Sequence, residues 1–348
     1  LLMMGISTSI IGILPPAASA GVGVVIVLQL MRLAQCFGRG GTWGGGILMA
    51  YENVPENKRS FYAAIPQIGL PIGFGLSSIL IAVPTLLLPE DIFFTWGWRI
   101  PFLAAIILTL IVIRQKGEMM ETEDYKKAQA KLEAEEAEGK KHKVGFIPMV
   151  KGYWKTLLLG CGTRWVDGTF YNIFIVWILS YCINWLGMPL IQTYIITIIA
   201  CIFKIPFTLF GGWCAQKLGN TRTFVIGALA SAVLSIPTLK VIELSKGNLA
   251  ITIIGIVLGW SIAYNLIWAV ISSLWSSYFE TEVRYSGISF VYHVPSFLVA
   301  GMVPTICTLL INYGKGDTIY VGIYSTVVAL ISAACALALK ARHDRGEK

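Results

Sequence analysis

Hydropathy constrains this chain more than any other feature of its sequence. Apolar runs follow one another along most of its length, each near the ~20 residues an α-helix needs to cross bilayer hydrocarbon. Ten can be placed, near residues 1–20, 22–49, 62–88, 97–114, 154–182, 190–213, 223–243, 249–276, 286–311 and 318–340. Within hydrocarbon every backbone N–H and C=O must be satisfied by the protein itself, which leaves helical bundles and closed barrels. A barrel requires segments of about ten residues that alternate in polarity, and continuous runs such as Leu249–Trp260 do not alternate. The expected fold is therefore an all-α membrane protein, with the lipid bilayer as its solvent. Charged residues make up 13% of the chain, against roughly 25% in soluble domains.

The first run opens LLMMG, without a basic flank or an initiator Met. That differs from a signal peptide and reads as a chain preceded by further residues. A hydrophilic insert near 115–148 separates four apolar runs from six. Its core, TEDYKKAQAKLEAEEAEGKKHK, combines helix formers with mixed charge and predicts a solvated helix, either a plain linker or a regulatory element. Three parts result: residues 1–114, a partial N-terminal helical domain; 115–152, a central loop; and 153–348, a six-helix C-terminal domain with its tail.

The formal charge of +8 invites a nucleic-acid reading, but its distribution argues for topology instead. Alternate loops hold Lys58 and Arg59, the ten basic residues from Arg114 to Lys155, Lys217 and Arg222, Arg284, and Lys340, Arg342, Arg345 and Lys348. These make nineteen, against Lys240, Lys246 and Lys315 on the opposite side. By the positive-inside rule the first set, including the central loop and the C-terminus, is cytoplasmic. No nucleic-acid partner is implied. The seven cysteines form neither a CxxC pair nor a Cys/His cluster, so no metal, cofactor or disulfide framework is expected.

A few charges lie inside the apolar runs, where each Arg or Lys costs about 2.5–3.5 kcal/mol on insertion scales and usually serves a pathway or a packed pair. Arg32, Gln35 and Arg39 stand at i, i+3 and i+7 and share one helix face. They read as a donor-rich cavity stripe suited to a carboxylate, or as interhelical clamps. Arg164 and Asp167 are at i, i+3, and Tyr171 continues their face. Asp167 is the one carboxylate well inside a run: a proton carrier, or half of a static pair with Arg164. Lys204 implies a wet cavity, with either a substrate role or a pairing with Asp167. His293 titrates near neutrality when free or is simply hydrogen-bonded. Arg99, beside Trp96 and Trp98, reads as an interface anchor. The excess of deep cations over Asp167 favours a small organic anion as the counter-charge.

The segment RLAQCFGRGGTWGGGILMAYENVPENKRSFYAAIPQIGLPIG resembles the fourth and fifth helices of the metabolite:proton symporter family, within the major facilitator superfamily. WGWRIPFL at 96–103, RWVDGTFYNIFIVWILSY at 164–181 and VRYSGISFVYHVPSFLVAGMVPTI at 283–306 continue the resemblance in order. It implies a bacterial inner-membrane carrier with twelve helices, of which ten are present. Alternating access would move carboxylates such as shikimate, citrate or α-ketoglutarate, or zwitterionic osmolytes such as proline and betaine, usually with protons. It also implies gating roles. Glu52, Pro55 and Arg59 match the family turn E-x-x-P-x-x-x-R, Arg284 lies in the RYSG segment, and Gly212 and Gly219 survive in a loop that has otherwise lost its charges. Thr42 stands where most members carry Glu, so proton coupling passes to Asp167. The same losses leave open a non-transporting paralogue acting as a membrane sensor. A membrane enzyme finds no support, since no nucleophile–base constellation, HExxH or Walker loop is present.

Overall fold

The computed structural model describes residues 2–16, 21–40, 46, 50–51, 54–55, 58–116, 146–296, 299 and 301–347, and among these no strand occurs. Seven helical stretches are long and apolar enough to cross a membrane: Arg59–Leu87, Gly97–Arg114, Met149–Asn184, Leu190–Leu218, Asn220–Leu244, Leu249–Tyr278 and Ile319–Asp344. Shorter apolar helices, Leu2–Ile13, Val22–Gly38 and Val303–Tyr313, fall in the remaining runs. The run at 286–311 contains two helices, Thr281–Pro295 and Val303–Tyr313. The expected helix of the central loop lies outside the described residues.

The chain divides into two compact units, Leu1–Gly46 with Leu76–Thr122 and Ile47–Gly75 with Glu123–Lys348. In the first, α1 (Leu2–Ile13) packs against α2 (Val22–Gly40) and against the helix Ile100–Lys116. Polar side chains tie these helices where hydrocarbon offers no alternative partner. Gln35 Nε2 donates to Thr8 Oγ1 at 2.7 Å. Arg99 spends its guanidinium on the carbonyls of Thr95 and Leu14 and lies over the Trp98 ring.

The second unit begins with α3 (Arg59–Ala64), a 3₁₀ turn Pro66–Ile68, and the start of α4 (Gly69–Leu87). After α5 (Glu90–Thr95) and α6 (Ile100–Lys116), both of the first unit, it resumes with α7 (Phe146–Asn172) and α8 (Ile178–Asn184). α9 (Leu190–Leu218), α10 (Asn220–Leu244), α11 (Leu249–Ile256) and α12 (Asn265–Tyr278) follow. α13 (Thr281–Pro295), α14 (Val303–Tyr313) and α15 (Ile319–Asp344) complete it. Small residues let α15 approach both α7 and α10. Ser332 Oγ donates to Gly162 O at 2.7 Å and accepts from Val166 N, and the Ser235 and Ser325 hydroxyls pair directly.

Two π-helical segments interrupt the ladder, Ile173–Trp177 after α7 and Val257–Ala263 between α11 and α12. They meet where the Phe174 ring packs on Gly259. Such π segments are rare and are frequently found at functional sites.

At one end of this unit Lys240 Nζ bridges Glu243 (3.0 Å) and Asp317 (2.6 Å), while Glu243 also accepts from Thr318 N and Oγ1. The hydrogen bond from Lys240 holds the Asp317 carboxyl, in the loop before α15, below its usual range. A depressed carboxyl contributes stability that is full above its unfolded pKa of about 3.9 and is lost as pH falls through the lower folded value. Thermal melts of Asp317→Asn and wild type should therefore differ at neutral pH and converge below about pH 4. A constant offset between the two proteins down to the lowest pH would show that the bridge is not what Asp317 contributes.

Candidate functional site

Among the described residues three charged side chains are buried, Arg164, Asp167 and Lys204, and all lie in the second unit. α7 carries the first two one turn apart, so the guanidinium and carboxylate meet by helical geometry alone. Asp167 Oδ2 accepts from Arg164 Nη1, and Oδ1 accepts from the Tyr264 hydroxyl at the start of α12. Arg164 Nη2 donates to Ser296 Oγ at 3.2 Å, and its Cζ stands 4.3 Å from the centroid of the Tyr292 ring. Its Nε is buried with no acceptor. The carboxylate is thus held by a cation on one side and a phenol on the other.

Lys204 lies deep in α9, two residues before Pro206, which interrupts the helix ladder. It is 1% exposed and, among the described residues, has no carboxylate within ion-pair reach. The pairing with Asp167 left open by the sequence is not made; Arg164 and Tyr264 occupy that carboxylate. The ammonium instead lies 4.5 Å from the Trp260 ring centroid and 4.3 Å from that of Tyr264, with one long contact to Trp260 O at 3.5 Å. A desolvated contact of this type is worth about 2 kcal/mol. Surrounding polar groups fix the frame. Asn265 Nδ2 donates to Lys204 O (2.8 Å) and to Thr208 Oγ1 (3.0 Å), and Ser261 Oγ donates to Ala200 O (2.8 Å). Tyr264 is the joint of the site, with its hydroxyl on Asp167 and its ring under Lys204.

Tyr171 is half-buried near the end of α7, edge-on to Phe74 at 5.8 Å. His293 is half-buried on α13 beside the Tyr292 ring. Arg32 is exposed on α2, and Gln35 is engaged with Thr8. The side chain of Arg39 and all of Thr42 and Glu52 lie outside the described residues. Of the residues assigned to gating, Arg59 and Arg284 share a partner, with guanidinium carbons 5.4 and 5.8 Å from the buried Tyr51 ring. Arg284 Nε also donates to Phe279 O. Gly212 on α9 faces α3, where an added Cβ would stand 2.7 Å from Ala64 Cβ. Gly219 joins α9 to α10 at φ +88, a conformation that favours glycine.

Sequence reasoning passed over Trp260, Tyr264, Tyr292 and Tyr51. The first two stand at i, i+4 in WSIAY, a spacing that apolar cores also use, and only their proximity to residues 56 or more positions away distinguishes them.

Charges buried among apolar, membrane-length helices usually mark a substrate or ion pathway. The sequence profile of the Major Facilitator Superfamily matches residues 1–304. The chain is 30% identical to the shikimate transporter of Escherichia coli (strain K12) over 345 residues, 97% of this chain and 76% of the relative. It is 31% identical to the inner membrane metabolite transport protein YhjE of the same organism, over 99% of this chain and 77% of that one. It is 27% identical to the proline/betaine transporter of Salmonella typhimurium, over 99% and 68%. In fold it is similar to the proton:xylose symporter XylE, with a TM-score of 0.71 at 16% identity, covering 97% of this chain and 77% of that structure. The chain belongs to the Major Facilitator Superfamily. It is a multi-pass secondary transporter and not an enzyme.

Proposed function

We propose that the protein carries a small organic anion, a carboxylate, inward together with a proton. The observation that carries this reading is the composition of the buried site: two cations, Arg164 and Lys204, against the single carboxylate Asp167. Protonating Asp167 weakens its hold on Arg164 and leaves a guanidinium fork in need of an acceptor, which a substrate carboxylate supplies bidentately. Proton and anion then load together, and neither leaves the cation uncompensated at membrane depth. The shikimate transporter among its relatives moves an organic acid by name, which fits; the proline/betaine relatives make zwitterions the competing class.

In this reading Tyr171 and His293 contribute donors to the cavity, and Arg32, Gln35 and Arg39 also serve substrate binding. Arg59, Arg284, Glu52, Thr42, Gly212 and Gly219 act in gating. Residues 1–114 and 153–348 form the two moving domains, joined by a cytoplasmic loop at 115–152, in a bacterial inner membrane. The test is uptake of labelled shikimate, citrate and α-ketoglutarate against proline and betaine, in cells expressing the protein, with and without a protonophore. Protonophore-sensitive uptake of a carboxylate is expected. Uptake confined to proline or betaine would refute the anion assignment.

A further inference from the structure

The ammonium of Lys204 is held in an unusual way for a buried cation. Among the described residues it has no counter-ion, and its one hydrogen-bond acceptor, Trp260 O, is 3.5 Å away. What surrounds it is aromatic: Trp260 is fully buried and Tyr264 nearly so, and the ammonium lies within 4.5 Å of both ring centroids. Trp260 Nε1 is also buried without an acceptor. The Tyr264 ring is fixed from behind by its hydrogen bond to Asp167 and by stacking on Phe170 at 6.2 Å with ring planes 9° apart. The Tyr264 face of the site is therefore held independently of the lysine that occupies it. Two buried aromatic faces around a poorly hydrogen-bonded amine are the chemistry that recognises alkylated ammonium groups, which have few N–H donors of their own or none.

We infer that Trp260 and Tyr264 form an organic-cation cage, and that Lys204 determines specificity by filling it with a tethered ammonium. The chain thereby bars methylated-ammonium zwitterions, while Arg164 supplies the charge that attracts a carboxylate. The inference deepens the anion reading above and rests on it for its meaning in transport. Arg164 remains the carboxylate partner in either case, so the residue at position 204 sets which headgroup accompanies that carboxylate.

The cage is tested on the purified protein by binding, without any transport assay. Lys204→Ala removes Cγ, Cδ, Cε and Nζ, and trimethylammonium has the same number of heavy atoms. Trimethylammonium chloride is titrated against tryptophan fluorescence and by calorimetry, with sodium chloride as the ionic-strength control. Wild type should show no saturable binding. The alanine variant should bind saturably, at least about tenfold more tightly than the detection limit that wild type sets, as expected for a desolvated cation–π site. Lys204→Met, which refills the space without charge, should not bind, and adding Trp260→Leu to the alanine variant should abolish binding. Lys204→Ser repeats the test in case the alanine variant does not fold. A folded small variant that fails to bind, or wild type or the methionine variant binding as well as alanine, overturns the proposal. Failure of both small variants to fold overturns it too, because the cage then cannot be vacated. Carboxylate uptake by wild type decides the anion reading separately, so either can fail alone.

Discussion

Asp167→Asn should abolish proton-driven accumulation of substrate and leave substrate exchange running. Asparagine keeps the shape of the side chain and cannot take up or release a proton. Its amide oxygen can accept from Arg164 while its NH₂ donates to the Tyr264 hydroxyl, so it fits the site as a neutral group. The variant therefore imitates the protonated carrier, with the Arg164 fork held only by a neutral acceptor that a substrate carboxylate outcompetes. Exchange of labelled for unlabelled carboxylate needs no net proton movement and should persist. Uphill uptake should fall at least about tenfold and cease to respond to a protonophore; that estimate follows from losing the titrating group altogether. Protonophore-sensitive accumulation by the variant would place coupling elsewhere, with the proton then crossing on another group. The same substitution should be costly to the fold, since removing one partner of a buried pair is worth about 3–5 kcal/mol. Replacing Arg164 and Asp167 together by apolar residues of similar volume should recover most of that stability while leaving transport dead. The two effects, on coupling and on folding, are thus separable in one series.

The parts of this site that could be read from sequence are those created within a single helix. Arg164 and Asp167 are three residues apart, so any helical reading brings them together. Lys204 was legible as a charge at depth, because hydropathy locates the run that contains it. Its environment was not, since Trp260 and Tyr264 come from a different helix and their spacing is that of an ordinary apolar face. Nor do the π segments announce themselves. Both arise in apolar stretches where an added residue per turn is set by packing, as with Phe174 against Gly259. Window-averaged hydropathy also joined α13 to α14, because the residues between them are as apolar as the helices and Pro295 and Pro304 carry little weight in an average. The turn that placed Arg59 could not show that Tyr51 lies between it and Arg284, which is 225 positions further along. Tertiary context supplied these contacts.

Gly212→Ala should damage both folding and uptake. The new Cβ would lie 2.7 Å from the Cβ of Ala64 and 3.4 Å from the backbone of Phe61, and α3 is held on this surface by more than that one contact. Trp268 Nε1 donates to Gln67 O at 3.1 Å, and Ser272 lies within reach of Ala63 O, so α3 cannot simply slide away. On the neighbouring face of α9, Gly211 is already closed against Ala269, which limits adjustment of α9 itself. Overpacking of this kind costs about 1–3 kcal/mol. If Gly212 acts in gating as proposed, the cost falls on the conformer in which α3 and α9 touch. Uptake should drop about tenfold, as roughly 1.4 kcal/mol of that cost would produce, with a lowered melting temperature. Ala64→Gly placed in the same chain moves the missing methyl to the opposite face and should restore both. A double-mutant cycle would then give a coupling of about 0.5–3 kcal/mol between the two positions. If the single variant melts and transports like wild type, or if Ala64→Gly adds its own loss without rescue, the helices are not in the tight contact that assigns Gly212 its role.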